Sequence, residues 1–218
     1  MALFLWVQGL CEGSVSDVYD IEVLQDHTLD LRVLPYVPAP VVVSLDQRRQ
    51  FQKMNYSLVP SWSKDARVKF ATHNARIETL SEKPTWKGPL RSQHCLVPIT
   101  GFIESVYGKE FAGHLIEIAD SEHPVLTAAG LWDCWTDPAT GKTSHSFAII
   151  TEPPPPFIEN VGHDRCPIFL KKEAFAAWLD PNPQDSARVI DFLKNNKKEI
   201  NFKVKIDRPL KAGWEKRK

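Results

Sequence analysis

The amino-acid sequence predicts an α+β fold, with a mostly antiparallel, barrel-like β-sheet core flanked by a few helices. Three observations carry that reading. Apolar runs of strand length recur along the chain. Helical periodicity is clearest only in its last third. No internal repeat or low-complexity stretch interrupts the pattern. With 218 residues, 43% hydrophobic and 25% charged, the chain is long enough to bury a sizeable core. That composition excludes a disordered or fibrous protein. One domain spanning residues 1–218 is expected, because no linker-like boundary divides it.

The elements follow in order. Met1 to Gly9 is apolar but shorter than the roughly 18–20 residues of a membrane span. It also lacks the basic start of a secretory signal, so a soluble cytoplasmic protein with no membrane contact is expected. Val41 to Leu45 is a β-branched strand, and Phe51 to Leu58 a second that leads into Pro60. A helix near Thr79 to Trp86 is limited by Pro84. Cys95 to Pro98, Gly101 to Val106, Phe111 to Ala119, Val125 to Leu131 and Ser146 to Thr151 supply further strands, and Asp137 to Lys142 a hairpin loop. Pro153 to Pro156 is a stiff extended connection. Lys171 to Leu179 is a helix with Phe175, Trp178 and Leu179 on one face, ended by Asp180-Pro181. Asn182 then caps a last helix, with Pro183 in its first position, running to about Lys198 and burying Val189, Ile190 and Leu193.

Charge and cysteines narrow the function classes. Lys+Arg 27 balance Asp+Glu 27, which excludes attachment to nucleic acid by a global field and leaves room for a local basic surface. Between Ser61 and Arg91 seven basic residues face three acidic ones, and from Lys203 onward seven face two. Solvated faces are the plain alternative for both. The cysteines, Cys11, Cys95, Cys134 and Cys166, form no C-x-x-C pair, so no zinc or redox site is indicated and reduced thiols are expected. No metal and no cofactor is expected.

Phosphate loops, G-x-S-x-G elbows and H-E-x-x-H motifs are absent from the sequence. Four segments instead mix polar with apolar residues. In Leu58 to Trp62, Trp62 beside Pro60 is a candidate platform for stacking a base, or else a core residue. In Asn74 to Thr79, Asn74 and Arg76 alternate onto one face of an extended segment. Arg76 can clamp a phosphate with its planar fork, or pair with a buried carboxylate. In Pro98 to Glu104, Glu104 ends an apolar strand, where burial suits a carboxylate to proton transfer or a salt bridge holds it. In His163 to Pro167, His163 is a candidate proton shuttle, with Arg165 two residues on.

Taken together these segments resemble the SRAP family, the SOS response-associated peptidases, whose members shield abasic sites in single-stranded DNA. Tyr56 to Trp62 stands where the family has W-G-L-V-P-S-W, and Asn74 to Thr79 with Glu82-Lys83-Pro84 matches N-A-R-x-E-T and E-K-P. His94 to Glu104 matches R-C-L-V-P-x-x-G-F-x-E after one change, Ala129 to Trp135 matches A-G-L-W-D-x-W, and Phe147 to Thr151 with His163 to Pro167 matches F-x-I-I-T and H-D-R-x-P. The likeness spans about Val41 to Pro181.

The resemblance implies a function. Family members carry a cysteine at position 2, whose amine and thiol capture the ring-opened aldehyde of an abasic deoxyribose, first as a Schiff base and then as a thiazolidine. It assigns Asn74 to holding the N-terminal residue or the sugar, Glu104 to protons at the amine, and His163 to ring opening and proton transfer. It gives Arg76 and Arg165 the flanking phosphates, with Trp62 and Pro60 against the bases. Here residue 2 is Ala2. Three explanations compete: the Ala2 α-amine acts alone and reversibly, processing exposes Cys11, or the protein binds DNA without catalysis. The expected partner is single-stranded DNA with abasic sites, bound by a monomer. The rivals are a noncatalytic single-stranded DNA binder and a thiol (auto)peptidase using Cys11 or Cys166 with His163.

Overall fold

The computed structural model describes residues 4–11, 16, 18–21, 28–46 and 48–217. Five strands close into a barrel: β3 (Pro38–Leu45), β4 (Arg48–Tyr56), β6 (His94–Ile99), β9 (Leu126–Thr136) and β10 (Thr143–Glu152). The hydrogen-bonded order runs β10-β4-β3-β6-β9, and β9 returns to pair with β10. Closure covers both faces of a strand, which suits continuous apolar runs better than alternating ones. Val41, Val42 and Val43 are all buried accordingly, as is every residue of β6. All barrel pairings are antiparallel except β10 with β4.

A second antiparallel sheet has the order β12-β8-β7-β1-β2. Its members are β1 (Phe4–Cys11), β2 (Thr28–Val33), β7 (Gly101–Val106), β8 (His114–Asp120) and β12 (Phe202–Pro209). Arg32 on one outer strand makes a bidentate ion pair with Asp207 on the other, so the edges of this sheet also approach each other. Two short strands complete the set, β5 (Asn74–Arg76) parallel to β10, and β11 (Cys166–Pro167) antiparallel to it.

The helices are short: α1 (Pro84–Lys87), α2 (Pro89–Ser92), α3 (Pro156–Asn160), α4 (Phe175–Trp178) and α5 (Ser186–Asn195). Pro84 and Pro89 begin turns rather than end one, since a proline in the first helical turn lacks only a donor that has no helical partner there. The expected helix from Lys171 is a 3-10 turn, Lys172–Ala174, followed by α4. The last helix starts later than predicted. Asp185, not Asn182, accepts from the amides of Ala187 and Arg188, and the Asn182 side chain bonds Asp180. Trp178 anchors α4 to the barrel: it is buried, donates to the Cys95 carbonyl at 2.9 Å, and stacks on His94. Among the described residues no helix is long and apolar enough to cross a membrane.

Candidate functional site

Glu104 lies in β7, buried to 1% exposure. The apolar residues around it would exclude a lone carboxylate, so it requires partners. One arrives from the far end of the sequence. After the proline run, α3 ends at Val161 and Gly162 adopts φ +97°. Only glycine suits this position, because a Cβ there would stand 2.9 Å from the Gly108 carbonyl oxygen and from Val106. The turn therefore rests directly on the end of β7, and His163 meets Glu104, Nε2 to Oε2, at 3.0 Å. His163 Nδ1 faces the Arg165 carbonyl at 2.8 Å. Burial lowers the His163 pKa, but the hydrogen bond to Glu104, its charge and the Arg165 carbonyl outweigh it, and the net shift is upward. Both ring nitrogens donate in that charged form. Among the described residues nothing donates to the other carboxylate oxygen, Oε1, although it is fully buried. Leaving such an acceptor unmet costs about 1–3 kcal/mol, so this oxygen is ready for an incoming N–H.

Asn74 is held by β5 along the edge of β10 that β4 also uses. The parallel register pairs Phe147 with Tyr56, Ile149 with Asn74 and Thr151 with Arg76. Alternate positions along one strand edge put Tyr56, Asn74 and Arg76 on one face. The wholly buried Tyr56 hydroxyl donates to Asn74 Oδ1 at 3.2 Å. Burial and then the charge of Glu104 push the Tyr56 phenol well above its usual pKa. Asn74, Arg76, Arg165 and Thr151 line a cavity of about 320 Å³ together with His73 and Lys83. Arg76 is exposed and makes no ion pair with a described residue.

Arg165 differs from expectation. Its guanidinium is 6% exposed and held bidentately by Glu78 at 2.6 and 2.9 Å. It also donates to the Thr151 carbonyl at 2.6 Å. The internal arginine–carboxylate pair considered for Arg76 thus belongs to Arg165, which braces β10 and the His163 loop with its donors turned inward. The Arg165 hydrogen bond is the largest cause that holds the Glu78 carboxyl below its usual pKa.

Pro60 is buried, whereas Trp62 is 57% exposed at the tip of the turn, where a core tryptophan was the alternative. Two residues of the Ala129–Trp135 segment hold that turn. Buried Asp133 accepts from the amides of Ser61 and Cys134, both at 2.8 Å, and Trp135 donates to the Ser63 carbonyl at 2.8 Å. Ser57, where the family pattern has glycine, carries φ +109°. For a residue with a Cβ that region costs about 1–3 kcal/mol, which accounts for the glycine of the pattern.

Tyr56 and Asp133 were missed in the sequence because a tyrosine at a strand end reads as packing and Asp133 sits in an apolar run that reads as strand interior. Ala2 lies outside the described residues, but β1 bears on the site: Phe4 pairs with Ile103, the neighbour of Glu104, whereas Cys11 pairs with Thr28. Seven residue steps put the Cys11 backbone roughly 20 Å along the strand from Phe4. Burial raises the thiol pKa of both Cys95 and Cys166. Neither His163 nitrogen bonds Cys166, since one is engaged by Glu104 and the other by Arg165. Among the described residues no group of three His, Cys, Asp or Glu side chains could hold a metal ion.

Comparison with known proteins bears on this geometry. A family model described as SOS response associated peptidase (SRAP) matches residues 14–207. The abasic site processing protein YoqW of Bacillus subtilis (strain 168) is 32% identical over 146 residues, covering 66% of this chain and 63% of that protein. The abasic site processing protein HMCES of Xenopus tropicalis is 30% identical over 178 residues, covering 67% of this chain and 52% of its own. The chain thus spans less than two thirds of both relatives. Among solved structures, a protein from Bacteroides thetaiotaomicron superposes with a TM-score of 0.74 at 23% identity, covering 94% of this chain and 92% of its own. A phage-related protein from Bordetella bronchiseptica gives a TM-score of 0.69 at 23% identity, covering 93% of this chain and 92% of its own.

Proposed function

The chain belongs to the SOS response-associated peptidase (SRAP) family, and from that premise we propose that it acts on abasic sites in single-stranded DNA, forming a reversible Schiff base through the α-amine that removal of Met1 exposes on Ala2. The observation that carries the reading is the unmet, buried Oε1 of Glu104 beside the His163 imidazolium. An α-amine brought to that oxygen donates its N–H there and loses its extra proton to the carboxylate, which leaves a nucleophilic lone pair. The amine adds to the C1′ aldehyde of the ring-opened deoxyribose, forming a C–N bond as the C=O π bond breaks, and one proton passes from the new ammonium nitrogen to the oxygen to give a neutral carbinolamine. The proton that Glu104 took from the amine, replenished through its hydrogen bond from His163, goes to that hydroxyl as it leaves as water and the imine forms. Ala2 has no thiol, so no second bond closes a ring, and water reverses the imine.

DNA would approach over the exposed basic and aromatic surface that includes Trp62, Lys64, Arg67, Phe70, Arg76 and Lys83. Stacking on Trp62 and contacts from Arg76 to phosphate fit this route. Exposing Cys11 by cleavage is disfavoured, because removing residues 1–10 deletes the strand that pairs with both β7 and β2. The thiol peptidase reading lacks an activated thiol, since burial holds Cys166 protonated.

Incubating the protein with an abasic oligonucleotide and running a denaturing gel tests the proposal. A covalent band is expected only with borohydride, reduced about 100-fold or more by Glu104→Gln. Single-stranded DNA binding should weaken steeply with salt. Salt-sensitive binding with no band under any condition would instead establish the noncatalytic binder, and a band stable without reductant would contradict capture by Ala2.

A further inference from the structure

Tyr56 carries a hydroxyl that meets the Asn74 side chain, and nothing in the capture chemistry above uses it. Where the family pattern has tryptophan, this chain places a phenol with a single donor. The ring is wholly buried and packs against His73 and Phe147, so its position is fixed by the core rather than by ligand. Its pairing partner on β10, Phe147, stands two residues before Ile149, the partner of Asn74. The phenol and the amide therefore project on the same face, and the hydroxyl meets Asn74 Oδ1 at 3.2 Å. Because burial and the charge of Glu104 both disfavour the phenolate, the hydroxyl keeps its proton at ordinary pH.

An amide is planar and two-ended, with an acceptor oxygen on one side and a donor NH₂ on the other. A hydrogen bond that holds one end chooses what the other end presents. Asn74 is half-buried on the wall of the 320 Å³ cavity, and its NH₂ makes no hydrogen bond to a described residue.

We propose that Tyr56 is a positioning residue that locks the Asn74 amide with its oxygen inward and its NH₂ outward, so that Asn74 donates to an oxygen of the abasic deoxyribose. This rests on the abasic-site reading and names the chemistry by which one of its residues recognises substrate. The ring-opened sugar offers oxygen acceptors at its aldehyde and hydroxyls. An amide free to flip would spend part of its time presenting an oxygen to them instead, and acceptor facing acceptor repels.

The test is a two-residue cycle read as the rate of borohydride-trapped capture. Tyr56→Phe keeps the ring and removes only the donor. It should slow capture about three- to tenfold, leave affinity for undamaged single-stranded DNA unchanged, and have no further effect in an Asn74→Ala background. A wild-type protein that captures nothing refutes the abasic-site reading itself. A wild-type protein that captures while Tyr56→Phe matches it, or slows it equally in the Asn74→Ala background, refutes the positioning role alone. Should Tyr56→Phe fold poorly, Asn74→Asp decides, because it keeps an acceptor for Tyr56 and deletes the outward donor. Capture by Asn74→Asp must then fall to the Asn74→Ala level, and wild-type capture by it overturns the proposal.

Discussion

At the scale of single residues the site is a charged pair inside apolar surroundings. His163 and Glu104 are each almost fully buried and meet at 3.0 Å. Such a pair stabilises only while both partners are charged, and removing one leaves the other costly. Because the folded His163 pKa lies above its ordinary value, its contribution is fully present below about pH 6.5 and is lost as pH rises through the folded pKa. We therefore expect the stability gap between wild type and His163→Gln, measured by urea denaturation, to be about 1.5–3 kcal/mol near pH 6 and smaller at pH 9. A gap that widens with pH would contradict the pairing. Asn74, Glu104 and His163 were legible in the sequence because each sits in a segment that mixes polar with apolar residues and resembles the family pattern. Tyr56 was not, since a tyrosine at the end of a strand looks like packing until the register on β10 shows what its hydroxyl reaches. Arg165 was legible as important but not in its direction, because its partner, Glu78, is distant in the chain.

At the scale of elements, two turns bring the exposed surface and the buried Glu104–His163 pair into place. Gly162 seats the His163 loop on β7, and Asp133 in β9 ties down the turn that presents Trp62. Asp133→Ala would leave the Ser61 and Cys134 amides without their acceptor, at a cost of about 2–3 kcal/mol. It should also weaken single-stranded DNA binding severalfold, by fluorescence anisotropy, as Trp62→Ala should, with no further loss in the double variant. Unchanged DNA affinity in Asp133→Ala would show that the turn does not present Trp62 to DNA. The strands were foreseen where apolar runs are continuous, as at Gly101–Val106, and underestimated where hairpin pairing carries them into polar sequence, as at Thr143–Glu152. The last helix was placed too early because Asn182-Pro183 imitates a cap. The structure uses Asn182 to bond Asp180 and Asp185 to cap. His94 replaces the arginine of the family pattern, and its two nitrogens face the Leu90 and Trp178 carbonyls, a bridge between helices that spacing alone does not disclose.

At the scale of the whole molecule, zero net charge coexists with an exposed basic stretch from Lys64 to Lys83, so the attraction to DNA that we propose is local rather than global. The strand β1 joins this surface chemistry to the chain's amino end. It lies between β7 and the edge strand β2 of the second sheet, and its Phe4 end lies opposite the neighbour of Glu104. Its apolar character was visible in the sequence, but its pairing partners were not, because a nine-residue apolar start says nothing of which strand it will join. The central claim is that an amine at that end, rather than a thiol or a lysine, meets the sugar. Borohydride reduction of the complex with an abasic oligonucleotide, followed by proteolysis and tandem mass spectrometry, locates the attachment directly. The account predicts the reduced sugar on the α-nitrogen of Ala2, and attachment to a lysine side chain or to Cys11 would contradict it.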